Sequence, residues 1–411
     1  MNVFTGADIL LPKNVAMEKW AVIACDQFTS DPAYWQRVRS NAAGSPSTVE
    51  LILPEAELSG DRKAKVDAIN AAMARYYENG IFTKYENAYI YVERTLENGS
   101  VRPGLVGMVD LEAYDYNPGS VSLIRATEKT VLERIPPRKE IRKDAPLEFP
   151  HVLMLCDDHD GCLIEPITAM KDQLPLVYDF DLMEQGGHIK GWLLQGESAK
   201  AFDDRFTAYS ATYESKYEGL SGAKVLLAVG DGNHSLATAK SCYEELKANN
   251  PGVDLSNHPA RFALVELENI HDASQVFEPI HRIVTDVDAQ ALLAYLQQYC
   301  TEDGFCVEYC MGGQKGFLNL DRSRGELAVA VLQELLDGFL AENPGEIDYI
   351  HGEEEVYALA NQEGAVGFLL PAMGKGQLFR GVIDRGVLPR KTFSMGHARE
   401  KRYYLEGRKI K

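Results

Sequence analysis

Apolar residues recur along this chain at two spacings, one suited to strands and one to helices. Residues 88–92 (Ala88-Tyr89-Ile90-Tyr91-Val92) and 105–109 are β-branched and aromatic runs, and Glu97-Asn98-Gly99-Ser100 between them is a turn signal, so the pattern predicts two strands. Runs at 21–25, 152–156, 189–194, 261–267 and 365–370 predict further strands. Val66, Ile69, Ala72 and Met73 stand at helical spacing and predict a helix over 61–77. Asp31-Pro32 reads as an N-cap followed by proline at the first helical position. Helices are predicted at 197–210, 290–299 and 326–340, the last with apolar residues at 328, 331, 332, 335, 336, 339 and 340. The apolar strand 224–229 runs straight into Gly230-Asp231-Gly232-Asn233-His234 and then into a helix over 235–249, whose stripe is Leu236, Ala239, Tyr243 and Leu246. With the strand at 261–267 this makes strand–turn–helix–strand, the mark of an α/β layer.

The 411 residues are long for one compact domain, so subdomains are expected. Residues 286–345 read as an appended α/β unit after a core of 1–285, and 346–411 as a strand and basic tail that pack on that core. No internal repeat or low-complexity segment stands out. With 45% hydrophobic and 25% charged residues the chain is able to bury a large core. The formal charge of −19 disfavours non-specific binding to nucleic acid or anionic membrane, while leaving room for a local basic pocket. No apolar run is long enough to span a membrane, and the start Met1-Asn2-Val3-Phe4-Thr5-Gly6 lacks a basic region. The expectation is a cytoplasmic protein without a signal peptide. Seven cysteines, an odd number in a large chain, predict reduced thiols, and Cys300, Cys306 and Cys310 do not have a standard zinc spacing.

The turn at 230–234 carries the strongest chemical signal. Gly230 and Gly232 permit positive φ and close backbone approach. The N–H groups at the helix start favour an anion such as phosphate. Asp231 is a candidate ligand for Mg²⁺, and His234 a phosphate donor or acid–base group. The plain alternative is a tight turn and helix cap with a satisfied histidine. His281 beside Arg282 suits phosphate or carboxylate binding, against a structural histidine and a salt bridge. The basic stretch from Arg125 through Arg134 and Arg138 reads either as an anion-site wall or as a solvated helix face. Asp157-Asp158-His159-Asp160 has metal-ligating residue types but is better read as an acidic hairpin turn. Leu388-Pro389-Arg390-Lys391-Thr392 and the stretch from His397 to Arg402 form a basic end that either closes over a pocket or is simply docked. The P-loop, G-x-G-x-x-G after a strand, H-E-x-x-H and G-x-S-x-G patterns are absent, which argues against P-loop kinases, nicotinamide dehydrogenases, zincins and α/β-hydrolases.

Taken in order and spacing, these segments resemble the bacterial and archaeal family called domain of unknown function 1015. The resemblance covers nearly the whole chain. It rests on Tyr89-Ile90-Tyr91 with Gly104-Leu105-Val106-Gly107, Thr127-Glu128-Lys129-Thr130, the 230–234 turn, Pro279-Ile280-His281-Arg282, the 326–340 helix and Leu388-Pro389-Arg390-Lys391-Thr392. The family's turn is in turn similar to that of the ParB/sulfiredoxin-like superfamily, whose members bind nucleotides and include free-serine kinases. Asp231, Gly232 and His234 match that motif, whereas Asn233 and Ser235 stand where it has histidine and arginine. The resemblance implies a ParB/sulfiredoxin-like core over 1–285 and a Mg²⁺-dependent phosphotransferase that draws on ATP or ADP and acts on a small hydroxyl metabolite, free serine first. Asp231 would hold the metal. Gly230, Gly232, Asn233, His234 and Ser235 would hold phosphate, with Arg282, Arg134 or Lys391 supplying the missing charge and His281 beside them. Asp26 or Glu128 would accept the hydroxyl proton. A hydrolase acting on a nucleotide or phosphoester and a non-catalytic nucleotide sensor are the alternatives. The expected partners are a nucleotide, a small substrate and a second copy of the chain, with neither nucleic acid nor membrane.

Overall fold

Two β-sheets organise the chain in the computed structural model, which describes residues 3–389 and 391–411. Arg390, part of the predicted Leu388–Thr392 segment, and the first two residues lie outside the described residues. Among the described residues the larger sheet has eleven strands. Its main path runs Leu176–Asp181, His188–Leu194, Phe82–Thr95, Val101–Asp110, Phe262–Asn269, Leu153–Cys156, Leu227–Asp231, Ile124–Ala126 and Tyr114–Asp115. The predicted turn joins two of these strands: the Leu96 N–H donates to the Ser100 carbonyl at 2.8 Å, and the Ser100 N–H to Asn98 Oδ1 at 2.9 Å. Leu227–Asp231 lies parallel to Ile124–Ala126 and antiparallel to Leu153–Cys156. Strands with parallel neighbours need both faces covered. Leu153, Met154, Leu155, Leu227, Ala228 and Val229 are accordingly buried without exception. The class is mixed α/β, as the two spacings predict.

The second sheet runs Gln314–Leu320, Cys300–Met311, Val366–Leu369, Phe277–Thr285 and Glu346–His351, with Phe393–Met395 paired to Phe277–Thr285. The Ala328–Leu340 helix packs there, burying Val331, Leu332, Leu335, Leu336 and Phe339. This sheet draws strands from both sides of residue 345. The last residues then return to the larger unit: Tyr403–Tyr404 pairs with Val22–Ile23, and Arg408–Lys409 with Leu147–Glu148.

Helix starts follow the sequence signals. Asp31 Oδ1 accepts from the Tyr34 N–H at 3.1 Å and Asp61 Oδ1 from the Ala64 N–H at 3.0 Å, each satisfying a donor that a helix start leaves over. Three differences from the sequence pattern matter. The 300–320 hairpin was not predicted. Pro279-Ile280-His281-Arg282 lies inside the Phe277–Thr285 strand, which was not among the predicted ones. The strand at the central turn extends to Asp231, and its helix begins at Asn233. All seven cysteines are free thiols. Among the described residues no helix is long and apolar enough to cross a membrane.

Candidate functional site

The site begins where the buried Leu227–Asp231 strand stops. A Cβ on Gly230 would meet the Leu155 side chain and Met395 Sδ at 2.9 Å, so only glycine lets the strand end pack there. Gly232 takes φ +80°, and a Cβ there would lie 3.0 Å from the Val152 Cα. That left-handed residue turns the chain directly into the Asn233–Asn249 helix. The first helical bond runs from the Leu236 N–H to the Gly232 carbonyl at 3.0 Å. The N–H groups of Asn233, His234 and Ser235 precede it and are left for an outside acceptor.

These groups open on a cavity of about 210 Å³. Asp26, Glu128, Arg134, Asp231, Gly232, Asn233, His234, Ser235 and Lys391 all line it, although they come from five separate stretches of chain. Gly230 sits behind them. His281 and Arg282 do not line it. His281 is buried, with Nδ1 accepting from the Leu370 N–H at 3.1 Å. Arg282 is fully buried, its Nε donating to Gln333 Oε1 at 2.9 Å and its Nη1 to the Ile280 carbonyl at 2.6 Å. Their strand lies between Val366–Leu369 and Glu346–His351, so both side chains are enclosed in the second sheet's packing. Burial draws the Arg282 guanidinium down to about 10, and the Tyr349 and Glu128 charges resist that drop. Among the described residues, Arg282 does not line the cavity and is linked to it through the charge of Glu128.

Arg125 is also turned away, donating to the Ser122 carbonyl at 3.2 Å and to the Ala223 carbonyl. The Asp157–Asp160 stretch is a braced loop. Asp157 accepts from Tyr217 Oη at 2.5 Å and meets His271 Nε2 at 2.6 Å, and Asp158 accepts from the Leu163 N–H at 2.8 Å. Among the described residues no group of three or more His, Cys, Asp or Glu side chains is placed to hold a metal ion.

Several site residues have no assigned role in the sequence pattern, Lys401 being part of the basic 397–402 stretch and His151 and Tyr404 unmarked. Lys401 Nζ lies 3.3 Å from Asp231 Oδ2 and donates to the Met395 carbonyl at 3.0 Å. Burial opposes ionisation of Asp231, but the Lys401 ammonium, His151 and the Gly232 N–H together hold its carboxyl below the ordinary carboxylate value. His151 enters from just before the Leu153–Cys156 strand, with Nε2 3.9 Å from Asp26 Oδ1. Tyr404 Oη accepts from the Cys25 N–H at 3.1 Å. The same Oη meets His151 Nδ1 at 2.9 Å, so the phenol holds in place the ring whose Nε2 faces Asp26. Only the tertiary fold joins residues 26, 151 and 404. The available signal was a histidine directly ahead of an apolar strand.

His234 is tuned differently. The Val131 N–H donates to its Nε2 at 3.2 Å, so the ring proton sits on Nδ1. Burial first, then the charges of Arg138 and Arg134, push this imidazole down to about 4, against the pull of Asp26. His234 is thus a neutral hydrogen-bond donor near neutral pH. With Nε2 occupied and Nδ1 protonated, it has no lone pair for a general base. Arg134 and Arg138 come from the 132–142 segment, and Arg138 also pairs with Glu55. Asn233 Oδ1 is buried without a hydrogen-bond partner among the described residues.

The family model for a protein of unknown function, DUF1015, matches residues 8–385. No curated protein matches the sequence. Among solved structures, the chain is similar to a free serine kinase mutant in complex with ADP, at 10% identity and TM-score 0.37, covering 74% of this chain and 91% of that one. It is also similar to C-terminally truncated SbnI from Staphylococcus aureus, at 11% identity and TM-score 0.35, covering 71% and 83%. A conserved hypothetical protein from Pyrococcus furiosus matches at 11% identity and TM-score 0.33, covering 74% and 94%.

Proposed function

The chain belongs to the DUF1015 family of proteins of unknown function, and from that premise we propose that its cavity binds the phosphates of a nucleotide and that the protein transfers a phosphoryl group to a small hydroxyl compound, with free serine as the first acceptor to try. The observation that carries this reading is the meeting of a helix N-terminus, three carboxylates and several cations on one cavity of about 210 Å³. Phosphoryl transfer asks a protein mainly to position reactants and neutralise charge, which is what such a lining does.

The N–H groups of Asn233, His234 and Ser235 and the His234 Nδ1–H would bind phosphate oxygens. Arg134, Arg138 and Lys391, which line the same cavity, supply the positive charge that Ser235 does not. Asp231, Asp26, Glu128 and the unpartnered Asn233 Oδ1 are hard oxygen donors, and one or two carboxylates with phosphate oxygens suffice for Mg²⁺, so the residues fit that ion. Bound there, Mg²⁺ would neutralise charge on the phosphate oxygens, with Asp231 as the ligand. Asp26, backed by His151 and Tyr404, would take the proton of the acceptor hydroxyl, with Glu128 as the alternative base.

Thermal unfolding with ATP, ADP, GTP, CTP and pyrophosphate, each with and without Mg²⁺, tests the binding step for the wild type and His234→Ala. A ligand at 100 times its dissociation constant adds about 2.7 kcal/mol. A Mg²⁺-dependent shift that His234→Ala abolishes is the expected result. Labelled γ-phosphate should then move to serine or another hydroxyl acceptor. Release of inorganic phosphate alone would make the protein a hydrolase, and binding without turnover would make it a sensor. No shift with any nucleotide would end the phosphate reading.

A further inference from the structure

A second chamber of about 130 Å³ adjoins the phosphate cavity and shares Cys25, Arg138, His151 and Ser235 with it as a common wall. We propose that this chamber holds the heteroaromatic base of the same nucleotide whose phosphates occupy the polar cavity, a reading that rests on the function proposed above.

The lining gives the reason. Leu51, Leu53, Met73, Ile141, Leu147 and Phe149 make most of the chamber apolar. Most of its polar side chains are already engaged. Glu148 Oε1 accepts from Arg408 Nε at 2.5 Å and from the Leu264 N–H at 2.9 Å, and Oε2 accepts from Arg142 Nη2 at 2.5 Å. Thr238 Oγ1 donates to the His234 carbonyl at 2.7 Å, and Tyr404 Oη bridges Cys25 and His151. What is left is the Ser235 hydroxyl on the common wall, together with backbone. Ile52 and Leu53 are buried, they line the chamber, and their N–H and C=O groups make no hydrogen bond among the described residues.

Buried backbone groups are almost always paired, because an unpaired one forfeits the bonds it made to water. A purely aliphatic occupant would leave these groups unpaired. An occupant with apolar faces and a polar edge satisfies both the side-chain walls and the 52–53 backbone, and a nucleobase has that chemistry. The shared wall then lets one molecule reach from the chamber to the helix N-terminus. The Arg138 guanidinium, which lines both spaces, is placed to meet either a ring face or a phosphate.

The test compares ATP, GTP, CTP and inorganic tripolyphosphate, with Mg²⁺, by calorimetric titration of the wild type and Ala145→Phe. Ala145 is a buried wall residue of the chamber only, so the larger ring fills that space. At least one nucleoside triphosphate should bind the wild type tenfold or more tightly than tripolyphosphate. Ala145→Phe should remove that advantage and leave tripolyphosphate affinity unchanged. If tripolyphosphate binds as tightly as every nucleotide, the base chamber is wrong while the phosphate site stands. If neither binds, the phosphate reading has failed and takes this one with it. If Ala145→Phe weakens a hydroxyl acceptor but not the nucleotide, the chamber belongs to the acceptor and the proposal is overturned. Should the variant not fold, photolabelling of the wild type with 8-azido-ATP decides. Label on 49–54 or on 139–150 supports the chamber, and label confined elsewhere refutes it.

Discussion

Acidification should expose the neutral state of His234. Its imidazole is drawn from the ordinary 6.5 down to about 4 by burial and by Arg138 and Arg134. The folded value is lower than the unfolded one. Above pH 6.5 both states are neutral and nothing is gained or lost. As pH falls below that, the unfolded chain takes up a proton that the native ring refuses, and stability drops until the native ring also protonates near pH 4. Between about pH 7 and about pH 5 this one group should cost on the order of 1 kcal/mol, the full shift being discounted for solvent screening of a partly exposed ring, and somewhat more in the acid limit. Replacement by glutamine, which keeps an amide donor and cannot titrate, should remove that share of the pH dependence. Urea unfolding of wild type and His234→Gln at the two pH values gives the difference directly, because carboxylate contributions are common to both. Labelled-imidazole NMR adds a second readout. The resonance missing from His234→Gln should titrate near pH 4 in the wild type, and its nitrogen shifts should report the Nδ1–H tautomer. Parallel pH profiles for the two proteins, or a His234 midpoint near 6.5, would refute both the burial argument and the hydrogen bond from Val131.

Other perturbations test the rest of the site. Lys401→Met removes the ammonium 3.3 Å from Asp231. Mg²⁺-dependent nucleotide binding should weaken about tenfold, roughly 1.4 kcal/mol, and the loss should grow as pH is lowered, because the Asp231 carboxyl is no longer held down. Gly232→Ala forces a side chain into φ +80° and against Val152. It should lower stability by about 1–2 kcal/mol in thermal unfolding and abolish tripolyphosphate binding, since the helix start shifts with it. Arg282→Ala should cost about 3 kcal/mol or more, because Gln333 and the Ile280 carbonyl lose a buried donor, yet leave tripolyphosphate affinity within about twofold. A tenfold loss of tripolyphosphate affinity there would place Arg282 in the anion site after all.

Local periodicity and capping chemistry made much of the scaffold legible. The Asp31 cap, the helix over 61–77, the 97–100 turn and the apolar stripe of Ala328–Leu340 all follow from short-range residue pattern. The strand–turn–helix at 230–234 was legible for the same reason, because two glycines between an apolar run and a helical stripe leave few other conformations. The Cys300–Met311 and Gln314–Leu320 hairpin was missed although a signal existed. Phe305 and Val307 alternate with polar residues, and Gly312-Gly313, both at positive φ, form the two-residue turn. The interleaved cysteines and acidic residues obscured that alternation. His281 and Arg282 misled in the other direction. A cation next to a histidine suits an anion, but the same pair in a central strand is absorbed by Gln333, the Ile280 carbonyl and the Leu370 N–H. Lys401, His151 and Tyr404 meet the site from far along the chain, so no local pattern could link them to Asp231 or Asp26.

The C-terminal segment raises the question of whether it closes over the cavity as a moving cover or stands as a fixed wall. Its anchors decide for the wall. Arg402 is buried and meets Glu266 and Glu406 at 2.6 Å each. Arg408 is buried against Glu148 at 2.5 Å. Tyr404 is buried between Cys25 and His151. Lifting the segment would leave Glu266 buried without Arg402 and Glu148 with Arg142 as its remaining partner, and breaking one such buried pair costs on the order of 3–5 kcal/mol. The opening of two pairs at once approaches the whole stability of a domain, about 5–15 kcal/mol, so a lid on this hinge would be closed almost always. Lys401 is therefore presented to Asp231 before any ligand arrives, and the cavity is preorganised on this side. Truncation after Glu400 should accordingly unfold the protein or lower its stability by several kcal/mol. A truncated chain that kept wild-type stability and lost only ligand binding would show that the segment is a lid.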